Sequence, residues 1–310
     1  MRSLYDYFIL LLKGIGMGMA DVVPGVSGGT IAFISGIYEE LVSSLKSIGF
    51  KTVRLLLTGR FREFQTSINL WFLLSVFGGV AISIFSLAKL MKWLLHNHPV
   101  LVWSFFFGLI LASTLFVLKT IGKFNARTMV FFVTGIAVAW LITSLSPVNT
   151  PEEWWFVFLS GSIGICAMIL PGISGAFILL LMGKYLFIIT AVSELNIPVI
   201  LVFAAGAITG LILFSHALSW LLRRYRMVTV ALLAGFMIGS LNKVWPWKIA
   251  TSTAEGLHGE VVILAERNVS PAAYESITSS DPMIPWAILL FIAGIGLLSV
   301  LQLAGQKAGK

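Results

Sequence analysis

Pro24-Gly25-Val26-Ser27-Gly28-Gly29 lies inside an apolar segment, and the pattern returns as Pro171-Gly172-Ile173-Ser174-Gly175-Ala176. Proline removes a backbone donor and glycine permits positive φ, so each stretch predicts a broken helix whose successor begins with free N–H groups. Hydrocarbon cannot hydrogen-bond those groups. A break at membrane depth is therefore buried in protein or lines a wet cavity, and there it marks a ligand site.

The flanking chain is of membrane character. Of the 310 residues 58% are hydrophobic and 11% charged, with a mean hydropathy of +0.98; soluble domains hold roughly 45–50% apolar residues. An all-α polytopic membrane protein is expected. The formal charge of +8 does not indicate nucleic acid, because the basic residues fall between apolar blocks rather than on an aromatic-studded polar face. The single cysteine, Cys166, excludes an internal disulfide. Met1-Arg2 followed by Phe8 to Leu12 has the outline of a signal peptide with Ala20 at its cleavage site. Lys13 interrupts that apolar run, and the stretch from Gly14 has a counterpart later in the chain, so the segment is read as part of the fold.

That counterpart belongs to a repeat. At an offset of 147, Gly14, Ala20, Pro24, Gly25, Ser27, Gly28, Ile31, Gly36 and Tyr38 meet Gly161, Ala167, Pro171, Gly172, Ser174, Gly175, Ile178, Gly183 and Tyr185. Downstream the offset is 127, where Gly79, Trp93, Leu94, Leu95, Gly108 and Ser113 meet Gly206, Trp220, Leu221, Leu222, Gly235 and Ser240. The difference is a basic linker carrying Lys46, Lys51, Arg54, Arg60 and Arg62. The first repeat, 1–146, is expected to hold a re-entrant hairpin at 8–45, the linker at 46–66 and spans near 68–95, 100–118 and 128–146. The second, 154–304, is expected to hold a hairpin at 155–192, spans near 197–222, 227–245 and 285–304, and an extracytoplasmic polar loop at 246–284.

Charge chooses the topology. With both motif segments re-entrant, one side collects Arg2, Lys13, the linker cluster, Lys119, Lys123, Arg127, Arg223, Arg224, Arg226, Lys307 and Lys310. The other collects Glu152, Glu153, Glu194 and the long loop, whose Lys248 and Arg267 stand against Glu255, Glu260, Glu266, Glu275 and Asp281 for a net −3. This is a positive-inside pattern with both termini cytoplasmic. Each half is a re-entrant hairpin plus three transmembrane helices, and an odd number of crossings inverts the second half relative to the first. The two breaks are expected to meet near the midplane, as in secondary transporters.

At the breaks, the N–H groups of Ser27, Gly28, Gly29 and Thr30, and of Ser174, Gly175 and Ala176, suit an anion, with hydroxyls adding donors and glycines admitting a phosphate to the backbone. Close packing by small residues is the competing reading, but it needs no proline in both halves. Gly25-Val26-Ser27-Gly28-Gly29 also fits a nucleophile elbow with His216 as base; the preceding segment is no strand and no acid supports the histidine. Asp21, in an apolar run where a charge costs at least ~2.5–3.5 kcal/mol, is either a proton or cation carrier or a partner for the freed donors; its counterpart is Met168. Glu39 and Glu40 close the first hairpin and Lys184 stands at that level in the second. Lys89 and His216 are equivalent at offset 127, either snorkelling or touching phosphate at opposite mouths. Arg127 and the Arg223-Arg224-Arg226 cluster are orientation signals that also attract anionic lipid. His96, His98 and His258 match no metal spacing, and no cofactor or metal is expected. The phosphate-loop pattern of nucleotide hydrolases is missing, so ATP is not expected as the drive, and any uphill transport is expected to use an ion gradient.

Met19-Ala20-Asp21-Val22-Val23-Pro24-Gly25-Val26-Ser27-Gly28-Gly29-Thr30, together with Leu170-Pro171-Gly172-Ile173-Ser174-Gly175-Ala176, resembles the polyprenyl-phosphate transporter family of bacteria and archaea, often called PopT. The resemblance covers about residues 8–304 and departs from the first motif at Ala176, which replaces its second glycine. It implies undecaprenyl phosphate as substrate, recycled from the outer to the cytoplasmic leaflet of the inner membrane for peptidoglycan and other envelope polymers. On this reading the head binds at Pro24, Gly25, Ser27, Gly28, Gly29, Thr30, Pro171, Gly172, Ser174, Gly175 and Ala176. Asp21, Glu39, Glu40, Lys89, Arg127, Lys184 and His216 are candidates for coupling to a proton or sodium gradient or for gating. The expected partners are this lipid, the surrounding membrane lipids and a coupling ion; a homo-oligomer is compatible with the sequence. A transporter or channel for a small soluble anion is the alternative.

Overall fold

A computed structural model of the protein describes residues 2–22, 26–121, 124–148, 150–255 and 261–308. Pro24, Gly25, Lys123, Glu260 and Lys310, and the side chains of Lys89, Glu255 and Lys307, lie outside the described residues.

The first half runs α1 (Leu4–Val22), α2 (Gly28–Ile34), α3 (Tyr38–Lys46), α4 (Phe50–Leu57), α5 (Phe61–Ser67), α6 (Leu70–Asn97), α7 (Pro99–Thr120) and α8 (Ala126–Ser144). The second runs α9 (Trp154–Ile169), α10 (Gly175–Leu181), α11 (Tyr185–Ser193), α12 (Ile197–Arg224) and α13 (Arg226–Ser240). It continues through β1 (Lys248–Glu255), β2 (Val261–Asn268), α14 (Pro271–Thr278) and α15 (Ile284–Ala308). The basic linker at 46–66 holds α4 and α5. The polar loop is likewise folded: β1 and β2 pair antiparallel, Asn268 donates to the carbonyl of Asn242 at 2.7 Å, and the Trp245 indole donates to Val269 at 2.9 Å. The fold is thus helical with one added hairpin.

Among the described residues α6, α7, α8 and α12 are long and apolar enough to cross a membrane, and α10 with α11 forms a further apolar pair bent by 108°. Large apolar side chains such as Phe85, Trp140, Leu213 and Ile292 stand exposed on the helices. Such a surface is what lipid requires and water opposes. The chain is a multi-pass membrane protein.

Both bends use the same chemistry. α2 ends at Gly36 (φ +75°) and α10 at Gly183 (φ +61°). In each, the glycine N–H and the next N–H turn back to the helix: Gly36 to Phe33 and Ile37 to Ala32, Gly183 to Leu180 and Lys184 to Leu179. This is the Schellman arrangement, which satisfies end carbonyls and needs a residue comfortable in the left-handed region.

Glycines also set the helix pairing. α1 packs on α6 and α9 on α12; α8 packs on α13 and α7 on α15. In every pair a glycine from each helix lies against the partner's carbonyl: Gly14 and Gly79, Gly161 and Gly206, Gly135 and Gly235, Gly108 and Gly294. A methyl group at any of these overlaps backbone, so the pairs interlock at a spacing only small residues allow. The element order and pairing pattern therefore recur, and α7 and α8 each take their partner from the other half. Phe72, Val76, Tyr38, Leu41, Leu218, Leu233 and Ala234 join one core across both halves.

Candidate functional site

The two breaks touch. Ser27 caps α2: its hydroxyl accepts from the N–H of Gly29 at 3.0 Å and donates to the carbonyl of Met168 at 3.0 Å. Thr30 accepts from the N–H of Gly172 at 2.8 Å. Gly29 lies so close to the end of α9 that a Cβ there would stand 2.5 Å from the Ile169 carbonyl oxygen. Gly172, at φ +89°, leaves no space for a side chain beside the Phe236 carbonyl. Ser27, Thr30, Ile173 and Ser174 are buried. Ser27 thus does two jobs, capping its own helix and bracing the opposite break, while Thr30 braces that break alone.

The freed amides of the first break are not all free. The N–H of Gly28 donates to Asp21 Oδ1 at 2.7 Å, that of Gly29 to Ser27 Oγ, and that of Thr30 to the Ser27 carbonyl at 2.9 Å. Asp21 follows from the geometry of α1: it sits on the last turn, and a Cβ on Gly28 would come 2.5 Å from its Oδ2. A hydrogen bond to a charged group returns ~1.5–3 kcal/mol, which offsets much of the ~2.5–3.5 kcal/mol cost of a membrane-embedded carboxylate. At the second break only Ser174 caps, accepting from Phe177 across a long 3.5 Å. Among the described residues no protein group accepts from Gly175 or Ala176, and Met168 supplies no carboxylate.

The other predicted residues lie elsewhere. Glu39 pairs with Arg226 at 2.8 Å, while Glu40 takes both nitrogens of Arg2 at 2.6 Å and the Asn69 amide at 2.6 Å. These acids line a cavity of about 540 Å³ with Lys46, Ser219 and Arg223. The Arg127 guanidinium stands over Tyr225 at 5.4 Å. Lys184 is fully buried, donating to the Thr150 carbonyl at 3.0 Å between the rings of Phe156 and Phe187. His216 is exposed and its Nδ1 lies 2.8 Å from the Ile212 carbonyl of its own helix, so no described contact joins it to either serine.

One cluster escaped sequence reading. Lys243, Lys248 and Glu266 meet at a cavity of about 330 Å³ lined by residues of β1 and β2 and by Phe177 of α10. Two of the three counted only as loop charges in the tally of −3. The signal that could have found them is the run Val261-Val262-Ile263-Leu264, a β-branched apolar stretch ahead of Glu266.

A family model described as VCA0040-like, undecaprenyl phosphate translocase-like, matches residues 17–262. The chain is 45% identical over 306 residues to a protein of Vibrio cholerae serotype O1 named polyprenyl-phosphate transporter, covering 97% of this chain and 98% of that one. A Staphylococcus aureus protein of the same name is 32% identical over 257 residues, covering 77% and 86%. No solved structure matches.

Proposed function

The chain belongs to the undecaprenyl phosphate translocase-like family, and on that premise we propose that it moves polyprenyl phosphate from the outer to the cytoplasmic leaflet, returning carrier lipid to envelope synthesis. It acts as a transporter and not as an enzyme. The proposed frame is an inverted repeat of two re-entrant hairpins in the cytoplasmic membrane, with both termini cytoplasmic.

The phosphate head is assigned to the junction of the two breaks, flanked by Ser27, Gly28, Gly29 and Thr30 and by Gly172, Ser174, Gly175 and Ala176. The observation that carries this is the carboxylate of Asp21 on the Gly28 amide. An anion already sits where a phosphate is expected, while among the described residues the amides of Gly175 and Ala176 at the second break have no protein acceptor. α2 has only seven residues, so individual amides rather than a long dipole hold the charge. Protonation of Asp21 removes its charge-assisted bond and yields the amide to the substrate, which links proton movement to phosphate movement. The isoprenoid tail stays in the bilayer throughout.

The test is inward movement of labelled polyprenyl phosphate in liposomes holding the purified protein, with and without a proton or sodium gradient and with inorganic phosphate as competitor. Protein-dependent, gradient-responsive movement is expected. Uptake of inorganic phosphate without lipid movement would replace this reading by that of a soluble-anion transporter.

A further inference from the structure

The cavity beneath the β1–β2 hairpin has the chemistry of a phosphate receptor. Lys248 opens β1 with its side chain 5% exposed; its ammonium donates to the Lys243 carbonyl at 3.0 Å, reaches Glu266 Oε2 at 3.4 Å, and lies 3.5 Å from the ring centre of Trp103 on α7. Lys243, 13% exposed in the turn after α13, donates to the same Glu266 oxygen at 3.0 Å. Its ammonium also stands 4.7 Å over the ring of Phe177, on the first turn of α10. Arg267 lines the same cavity, with Thr143, Ser144 and Asn242 as hydroxyl and amide groups at the wall.

Two largely buried ammoniums thus share one carboxylate and converge on one of its oxygens, while the exposed Arg267 adds a further cation at the cavity wall. Burial costs several kcal/mol per ion unless the charge is matched, and aromatic faces return only ~0.5–2 kcal/mol each. The cluster therefore holds a buried surplus of positive charge, which a plain structural ion pair would not. Burial also draws the Lys248 ammonium down to about 8, while the two lysines, against burial, hold Glu266 below the usual carboxylate range.

We propose that this cavity binds a phosphate monoester dianion, receiving the head of the lipid on the hairpin side before it reaches the second break through Phe177. The assignment rests on the transport reading above. Glu266 keeps the lysines apart from water until the phosphate, carrying more charge and more acceptor oxygens, displaces it.

The test uses the full-length protein in detergent with farnesyl phosphate, inorganic phosphate and farnesol as probes, read by calorimetry and thermal unfolding. Farnesyl phosphate binds, inorganic phosphate competes with it, and farnesol does not bind. Lys243→Gln and Lys248→Gln each weaken the phosphate probes at least tenfold, whereas Glu266→Gln strengthens them severalfold by removing the internal competitor. A structural staple behaves oppositely: Glu266→Gln then lowers the unfolding temperature and leaves phosphate binding no tighter, which overturns the proposal. So do equal affinities for farnesyl phosphate and farnesol. Lys243 stands at the cavity rim, so its variant reads binding even if Lys248→Gln unfolds. Lipid movement by the wild type in liposomes separates the two readings. Lysine-dependent binding without movement sinks the transport reading alone; movement with unaltered binding in both lysine variants sinks this one alone.

Discussion

At the first break Asp21 stands seven residues before Gly28 and closes on its amide. At the second break the equivalent residue is Met168, and only its carbonyl takes part, accepting from Ser27 of the other half. Two similar stretches thus differ in their charge: one carries an internal anion, while the other, among the described residues, leaves Gly175 and Ala176 without protein acceptors and has Lys243 one ring away. Of the positions at which the two stretches differ, Asp21 against Met168 is the one that changes charge. On the proposed transport reading, that carboxylate is the feature that sets the first break apart from the second.

The contact between the breaks is the first thing to break. Gly29→Val drives a branched side chain into the Ile169 carbonyl and separates the two ends; lipid movement in liposomes should vanish, with stability falling by about 1–3 kcal/mol as in other overpacked sites. Transport at the wild-type rate by a folded Gly29→Val protein would remove the junction from the pathway. A smaller change sharpens the asymmetry itself. Asp21→Asn keeps an acceptor for the Gly28 amide but cannot lose a proton. Its transport should fall about tenfold, close to 1.4 kcal/mol of barrier, and stop responding to an imposed proton gradient; a retained response assigns coupling elsewhere. Met168→Asp, made in the wild-type background, equalises the breaks and should slow transport severalfold.

The smallest effect concerns pH. Lys248 faces Glu266 and Lys243, with Arg267 lining the same space, and burial brings its titration to about 8. Its charge is present below that value and lost above it. Farnesyl phosphate binding should therefore weaken about threefold between pH 7 and 9, and Lys248→Gln should flatten the profile. A profile unchanged by that substitution separates the lysine from the anion.

Much of this molecule was legible beforehand because its periodic signals are strong. Apolar spans near 68–95, 100–118, 128–146 and 197–222 correspond to α6, α7, α8 and α12, since lipid contact imposes length and composition that few other pressures mimic. Proline and glycine marked both breaks, whereas the matched glycines by themselves indicate only a repeat and not the surfaces at which helices interlock. What composition could not convey was pairing. A charge tally of 246–284 adds signs without positions, so a net −3 concealed a locally cationic pocket. Nor could an apolar run show that Asp21 turns toward Gly28, because that contact depends on how the chain folds back through the break. His216 and Lys184 illustrate the same limit: two residues prominent in the sequence settle against a carbonyl in their own surroundings.

The exchange of helix partners between halves bears on how the protein is made. α8 leaves the ribosome with Gly135 exposed, and its complement Gly235 belongs to a helix not yet synthesised; Gly108 waits longer still for Gly294. Co-translational insertion thus delivers a first half whose last two helices still lack their main partners, and folding must run through long-range contacts of high sequence separation. Two separately expressed halves would each be unfinished, and assembly would succeed only when both are synthesised into the same membrane.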